Sequence, residues 1–264
     1  LQPGELCKIS IIVTLSKYVS DCMDKEGKFR GLGYIIKTTM YCAVPTVLVM
    51  MQPDFGTAFV FICIMVFIYF IGRISWGYIL TAAGGLAVCM PLAYYFVLSD
   101  SQRERIDVFI NPESDLQNSG YNVAQSKIAI GSGQLTGKGF FSEGTLAQLR
   151  FVPERHTDFI FAGIVEGLGF VGGTIIICLF FALIFRWIYI AMRTKDSFGT
   201  CLVVGVAGMF TAHVFENIGM TIGLMPVTGI PLPFISYGGS NLLTNLIGVG
   251  IVENVWMRRQ SKKR

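Results

Sequence analysis

The sequence predicts an all-α fold, a polytopic bundle of membrane-crossing helices, and three observations predict it. Of 264 residues, 53% are hydrophobic and only 14% charged, whereas soluble domains carry about a quarter of their residues as charges. Mean hydropathy is +0.59. The apolar residues also fall into seven runs, 6–20, 34–51, 55–72, 76–98, 159–186, 200–221 and 242–257. Most approach the ~20 residues with which a helix crosses a bilayer, and a helix satisfies its own backbone polar groups there. No internal repeat is visible, so a repeat-built transporter gains no support. Residues 1–264 read as one transmembrane domain.

Taken in order, run 6–20 begins almost at the first residue. The chain has no initiator methionine, and nothing ahead of this run has the basic region and cleavage site of a signal peptide. It therefore reads as the C-terminal part of a longer protein. Runs 34–51 and 55–72 are joined by the turn 52–54, and run 76–98 follows the turn 72–75. Run 159–186 comes only after residues 99–157. So long a connection is usually functional or disordered, and this one carries Ile, Val, Phe and Tyr throughout, which predicts short helices and turns at the membrane surface. Before run 242–257 stands "GLMPVTGIPLPFISYGGSNLL", broken by three prolines and several glycines. Irregular backbone at membrane depth must be buried in protein or line a cavity, so this stretch is predicted to re-enter the bilayer. Seven scattered cysteines form no CxxC pair and lack the clustered spacing of a metal or disulfide framework.

Seven crossings sort the connections onto two sides. Fourteen of the 21 Lys and Arg residues lie on the side of segment 21–33, the turns 72–75 and 193–199, and the tail "RRQSKKR". Short loops rich in positive charge face the cytoplasm, whereas long loops cross largely regardless of charge. The loop 99–157 is therefore predicted to be extracellular. The basic tail reads as an orientation signal and a contact for anionic membrane lipids.

On that outer side lies "FVPERHTDFIFAGIVEGLGFVGG", residues 151–173. With Thr157 or His156 as N-cap, Asp158 falls in the first turn of a helix, where the dipole favours an anion. A capping carboxylate would explain Asp158 alone. Glu154, Arg155 and His156 crowd the same turn, however, and Glu166 follows eight positions on, roughly on Asp158's face. Ionisable groups inside a membrane are functional candidates by default. In "LQPGELCKIS", Glu5 and Lys8 stand three apart on one helix face, either as a simple salt bridge or as a placed cation for an anionic ligand.

The long loop contains "YNVAQSKIAIGSGQLTGKGF". It fails the phosphate-loop pattern G-x-x-x-x-G-K-[ST], because Ser132 and Gly139 occupy the first Gly and the Ser/Thr positions. What remains is a glycine-rich turn whose Lys127 and Lys138, with Gln125 and Ser126 nearby, can face an anion. Arg103 and Arg105 offer similar charge, with Glu104 and Asp107 as alternative partners. Ser236, Tyr237 and Ser240 are candidate ligand contacts in the proline-broken stretch. His213, Glu216 and Asn217 are read as an interhelical hydrogen-bond network.

Together, "QPGE", "QPDFGTA", "GYNVAQSKIAIGSG", "GKG", "PERHTDFIFA" and "PLPFISYGGS" occur in the order found in the SEDS family of shape, elongation, division and sporulation proteins. The resemblance covers essentially the whole chain, and "PERHTDFIF" is nearer the rod-shape branch than the division branch. Gly4 and Phe55 depart from the family's usual Ser and Leu without touching a charged group. The resemblance implies a ten-helix fold of which this chain is the C-terminal part. It also implies a peptidoglycan glycosyltransferase that polymerises lipid II at the outer face of the bacterial cytoplasmic membrane during cell elongation. A class B penicillin-binding protein is the implied partner, and no nucleic acid. Asp158 matches the family's essential loop aspartate, and Glu5 and Lys8 its acidic and basic pair. On this reading Asp158 is the general base, and Lys8, Arg155, Lys127 or Lys138 hold pyrophosphate oxygens. A divalent cation, Mg2+ or Mn2+, is expected to share that charge. The alternatives are a flippase for lipid II or another amphipathic anion, lined by Glu5, Lys8, Glu166, His213 and Glu216, and a non-catalytic scaffold.

Overall fold

The computed structural model describes residues 2–27, 32–75, 119–139 and 157–258, with a scatter of positions between 77 and 110. Most of the predicted run 76–98, and the loop residues Arg155 and His156, lie outside the described residues. Among the described residues there are seven helices and no strand. These are α1 (Pro3–Glu26), α2 (Leu32–Met50), α3 (Phe55–Ile71), α4 (Ser119–Ser132), α5 (Ile160–Arg193), α6 (Ser197–Ile222) and α7 (Gly239–Arg258). Gly33–Met50 of α2, α5 and α6 are long and apolar enough to cross a membrane, and α3 is apolar but shorter. The protein is an all-helical membrane protein. The chain divides into two compact units, residues 1–99, 184–212 and 243–264, and residues 100–183 and 213–242.

In the first unit α1, α2 and α3 pack against one another. Helix α1 starts with Pro3 in its first turn and stops at Gly27, whose φ of 70° lets its N–H reach Met23 O. Its buried residues include Glu5, Lys8, Ile12, Leu15, Val19 and Cys22, spaced three or four apart, so one stripe of the helix faces protein throughout. The charged pair thus lies on the same inward face as the aliphatic residues. Asp54 caps α3 by accepting from the Thr57 N–H at 2.9 Å and the Thr57 hydroxyl at 2.8 Å. Thr38 and Thr39 of α2 share the Tyr69 hydroxyl of α3 at 2.6 and 3.0 Å. At the far end of α5, Trp187 meets Phe210 edge to face at 4.6 Å, and the Arg186 guanidinium lies 4.7 Å from the Trp256 ring centre.

The second unit is built around a broken helix. At 34 residues, an unbroken α5 would measure about 51 Å, well beyond a ~30 Å hydrocarbon core. Gly169, at φ 71° and ψ −172°, interrupts it. A break in the ladder frees the carbonyls of residues 166 and 167 and the N–H groups of 170 and 171. The glycine-rich turn after α4 takes up all four. Lys138 N–H donates to Glu166 O and Gly139 N–H to Gly167 O, both at 3.0 Å, while Phe170 N–H donates to Gln134 O at 2.8 Å and Val171 N–H to Leu135 O at 3.2 Å. Two intrahelical bonds are replaced by four between segments, so no backbone group is stranded. Phe161, Val165, Phe180 and Leu232 form the core beneath, with Ile130, Ile176, Ile218 and Ile235 packed on it.

Between α6 and α7, residues 223–238 form no helix, in keeping with the helix-breaking composition of that stretch. The six described cysteines are free thiols.

Candidate active site

Asp158 stands in the turn Thr157–Phe159, and α5 begins only at Ile160. The sequence placed it inside the first helical turn; the structure places it just ahead. The reason lies in what captures the local carbonyls. The Ser236 hydroxyl donates to Thr157 O at 2.6 Å, and the Asn217 amide donates to Asp158 O at 2.9 Å. Side chains from elsewhere thus take acceptors that a helical start would have used. Phe159 is buried with Val123 and Val227, so the residue after Asp158 is an anchor. Asp158 as a residue is half-exposed. Across from it lies Gly229, with φ +75°, where a Cβ would stand 3.4 Å from Asp158 Oδ2.

Because Asp158 precedes the helix, the eight-residue spacing to Glu166 does not put the two on one helical face. Glu166 is 1% exposed, and its carboxylate lies 3.6 Å from Lys138 Nζ. The buried acid therefore faces the glycine-rich turn, with Lys138 half-exposed above it.

The loop residues separate by environment. Ser126 is fully buried, and its hydroxyl donates to Thr221 O at 2.7 Å, which ties α4 to the end of α6. Lys127 is exposed, and its ammonium lies over Gly223 just past the end of α6, where a cation complements the helix dipole. Gln125, Arg103 and Ser240 are half-buried. Tyr237 is 82% exposed. Ser236, expected as a ligand contact, is buried and doubly engaged, since it also accepts from Leu232 N–H at 2.8 Å.

In the first unit, Lys8 Nζ bonds Glu5 Oε1 at 2.6 Å, both side chains being buried. A buried pair this close is one charge-neutral unit, whose loss of either partner strands the other. Among the described residues no three His, Cys, Asp or Glu side chains gather as cation ligands.

Sequence reasoning placed Asn217 in a hydrogen-bond network without identifying its acceptors. They are backbone carbonyls of remote turns, which no spacing rule reveals. Gly229, in "VTGIP", carries a visible signal, since glycine beside proline marks a special backbone conformation.

Long apolar helices, with a buried charged pair in one unit and a carboxylate in a pinned turn in the other, define a polytopic helical membrane protein. The family model for FtsW, RodA and SpoVE, described as cell cycle proteins, matches residues 1–261; the chain belongs to this family. It is 40% identical over 260 residues to the peptidoglycan glycosyltransferase MrdB of Escherichia coli K12, covering 98% of this chain and 69% of that protein. It is 38% identical over 267 residues to the stage V sporulation protein E of Bacillus subtilis, covering 97% and 68%. Among solved structures, a chain of a peptidoglycan synthase complex that coordinates polymerization and crosslinking matches with a TM-score of 0.81 at 28% identity, covering 98% of this chain and 71% of that one. The rod shape-determining protein RodA of Thermus thermophilus matches with a TM-score of 0.67 at 26% identity, covering 98% and 67%.

Proposed function

We propose that this protein is a peptidoglycan glycosyltransferase that polymerises lipid II at the outer face of the bacterial cytoplasmic membrane, with Asp158 as the general base. The family supports the reaction class. The observation that supports the residue assignment is the Asp158 turn: its backbone is held on both sides by buried side chains, while the residue remains half-exposed. The carboxylate takes the proton from the acceptor sugar's 4-hydroxyl as that oxygen attacks the donor's anomeric carbon. The bond from this carbon to the lipid pyrophosphate breaks, and the pyrophosphate leaves with the electron pair, inverting the centre. One carboxylate suffices because the pyrophosphate leaves without protonation, unlike the alkoxide of glycoside hydrolysis.

Lys138, anchored by its backbone N–H and half-exposed above Glu166, is proposed to face the departing phosphate, with Lys127, Arg103 and Arg155 as further cations. In the first unit the sequence suggested a cation placed for an anionic ligand, but Lys8 is fully buried and already neutralised by Glu5, so the pair is proposed to fix α1 from within rather than to touch the substrate. A class B penicillin-binding protein is the proposed partner for crosslinking, and elongation the proposed process.

The test is lipid II polymerisation by purified full-length protein with that partner, comparing wild type with Asp158→Asn. A general base contributes about 10²–10⁴-fold, so polymer should fall by at least about 10²-fold. Equal polymer from both would remove Asp158 from the chemistry. Lipid movement across vesicles without polymer would make the protein a transporter.

A further inference from the structure

We infer that Asn217 is a positioning residue for the reaction, one that sets where the Asp158 carboxylate stands; this rests on the reading of Asp158 as the base. Asn217 lies on α6, fully buried, 59 residues from Asp158 in sequence. Its amide nitrogen carries two hydrogens, and each has a backbone acceptor: Asp158 O at 2.9 Å and Ile230 O at 2.8 Å. Only the NH₂ end of the amide can serve two carbonyls, so the orientation of the group is fixed by its partners.

The two carbonyls flank the reactive group. One is the main chain of Asp158 itself. The other belongs to the residue after Gly229, whose Cα faces Asp158 Oδ2. A single amide therefore spans from the backbone behind the carboxylate to the backbone in front of it and fixes the gap between them. Ser236 repeats the device one residue earlier, linking Thr157 O to Leu232 N–H. Four side-chain bonds thus sew the turn 157–159 onto residues 230–232, where no helical ladder holds either length of chain. Without Asn217 the Asp158 carbonyl and the Ile230 carbonyl lose their common donor, and the carboxylate is free to shift by a fraction of an ångström or more. A misplacement of about 1 Å costs on the order of 10²-fold in rate.

The experiment uses the full-length protein with its crosslinking partner and lipid II, with rates normalised to folded protein by size-exclusion peak and melting temperature. Asn217→Ala should lower kcat about 10- to 100-fold with KM for lipid II unchanged, and the solvent deuterium isotope effect on kcat should rise as proton transfer becomes slower than the following steps. Thr221→Val is the comparator. It removes a buried hydrogen bond on the same helix, from the Thr221 hydroxyl to Asn217 O at 2.6 Å, without touching the Asp158 turn, and should lower the melting temperature while keeping kcat. The inference is overturned if Asn217→Ala keeps the wild-type kcat, or if both variants lose kcat only in proportion to lost folded protein. Asp158→Asn run alongside separates the two claims. If it stays active, the base assignment fails; if it is dead while Asn217→Ala is normal, only the positioning role fails.

Discussion

Gly169→Ala tests the interlock between the broken helix and the glycine-rich turn. A Cβ at residue 169 would overlap Gly137 N and Leu135 O. Both are backbone atoms and cannot rotate aside. The φ of 71° with ψ of −172° also belongs to a region that only glycine adopts readily, at a cost of about 1–3 kcal/mol for another residue. Two outcomes are available to the variant. If the break persists, the strain and the overlap both remain. If the helix heals, four bonds between segments are lost and two intrahelical bonds regained, a net loss of about 2 kcal/mol at about 1 kcal/mol each, and the packing of Leu135 and Gly137 goes with them. Either way about 2–4 kcal/mol is lost, which for a chain of this size lowers the melting temperature by roughly 5–15 °C. The assay is thermal melting of the purified protein in detergent, read by tryptophan fluorescence and size exclusion. Gly163→Ala, on the same helix, is the control because its Cβ meets nothing within 4 Å; it should be neutral or slightly stabilising. A Gly169→Ala melting point equal to that of Gly163→Ala would refute the interlock as a source of stability.

Two further outcomes concern buried charge. Lys8→Met strands the Glu5 carboxylate, which is 4% exposed, and should cost about 3–5 kcal/mol. Adding Glu5→Gln should restore the melting temperature, because no charge is then left buried alone. Lys138→Ala should cost about 1 kcal/mol, a modest figure because the lysine is half-exposed and the ions are not in close contact. Glu166→Gln in the same chain should recover it, and a double-mutant cycle with no coupling would show that the two groups do not interact.

What the sequence revealed depended on whether the controlling partner was local. Run 55–72 matches α3 to within a residue because Asp54 and Gly72 punctuate it in sequence. Run 6–20 underestimated α1, since hydropathy records only the apolar part of a helix that continues from Pro3 to Glu26 through charged residues. The glycines of "GLGFVGG" read as small residues in a spanning helix, yet Gly169 is there because a turn 30 residues upstream occupies its Cβ position. Asp158 is a candidate base in the sequence because of its charged neighbourhood and the family resemblance. Its location outside the helix was not legible, because Asn217 and Ser236 decide it from 59 and 78–79 residues away. Ser236 had looked like a ligand contact for the same reason: its acceptor, Thr157 O, is invisible to any local pattern. The charges at 154–156 and most of the run 76–98 lie outside the described residues.

The bonds around the two charged side chains have one feature in common. Gly139 N–H is bonded to Gly167 O and Thr157 O to the Ser236 hydroxyl, so Lys138 and Asp158 each stand one residue from a bond that fixes the main chain.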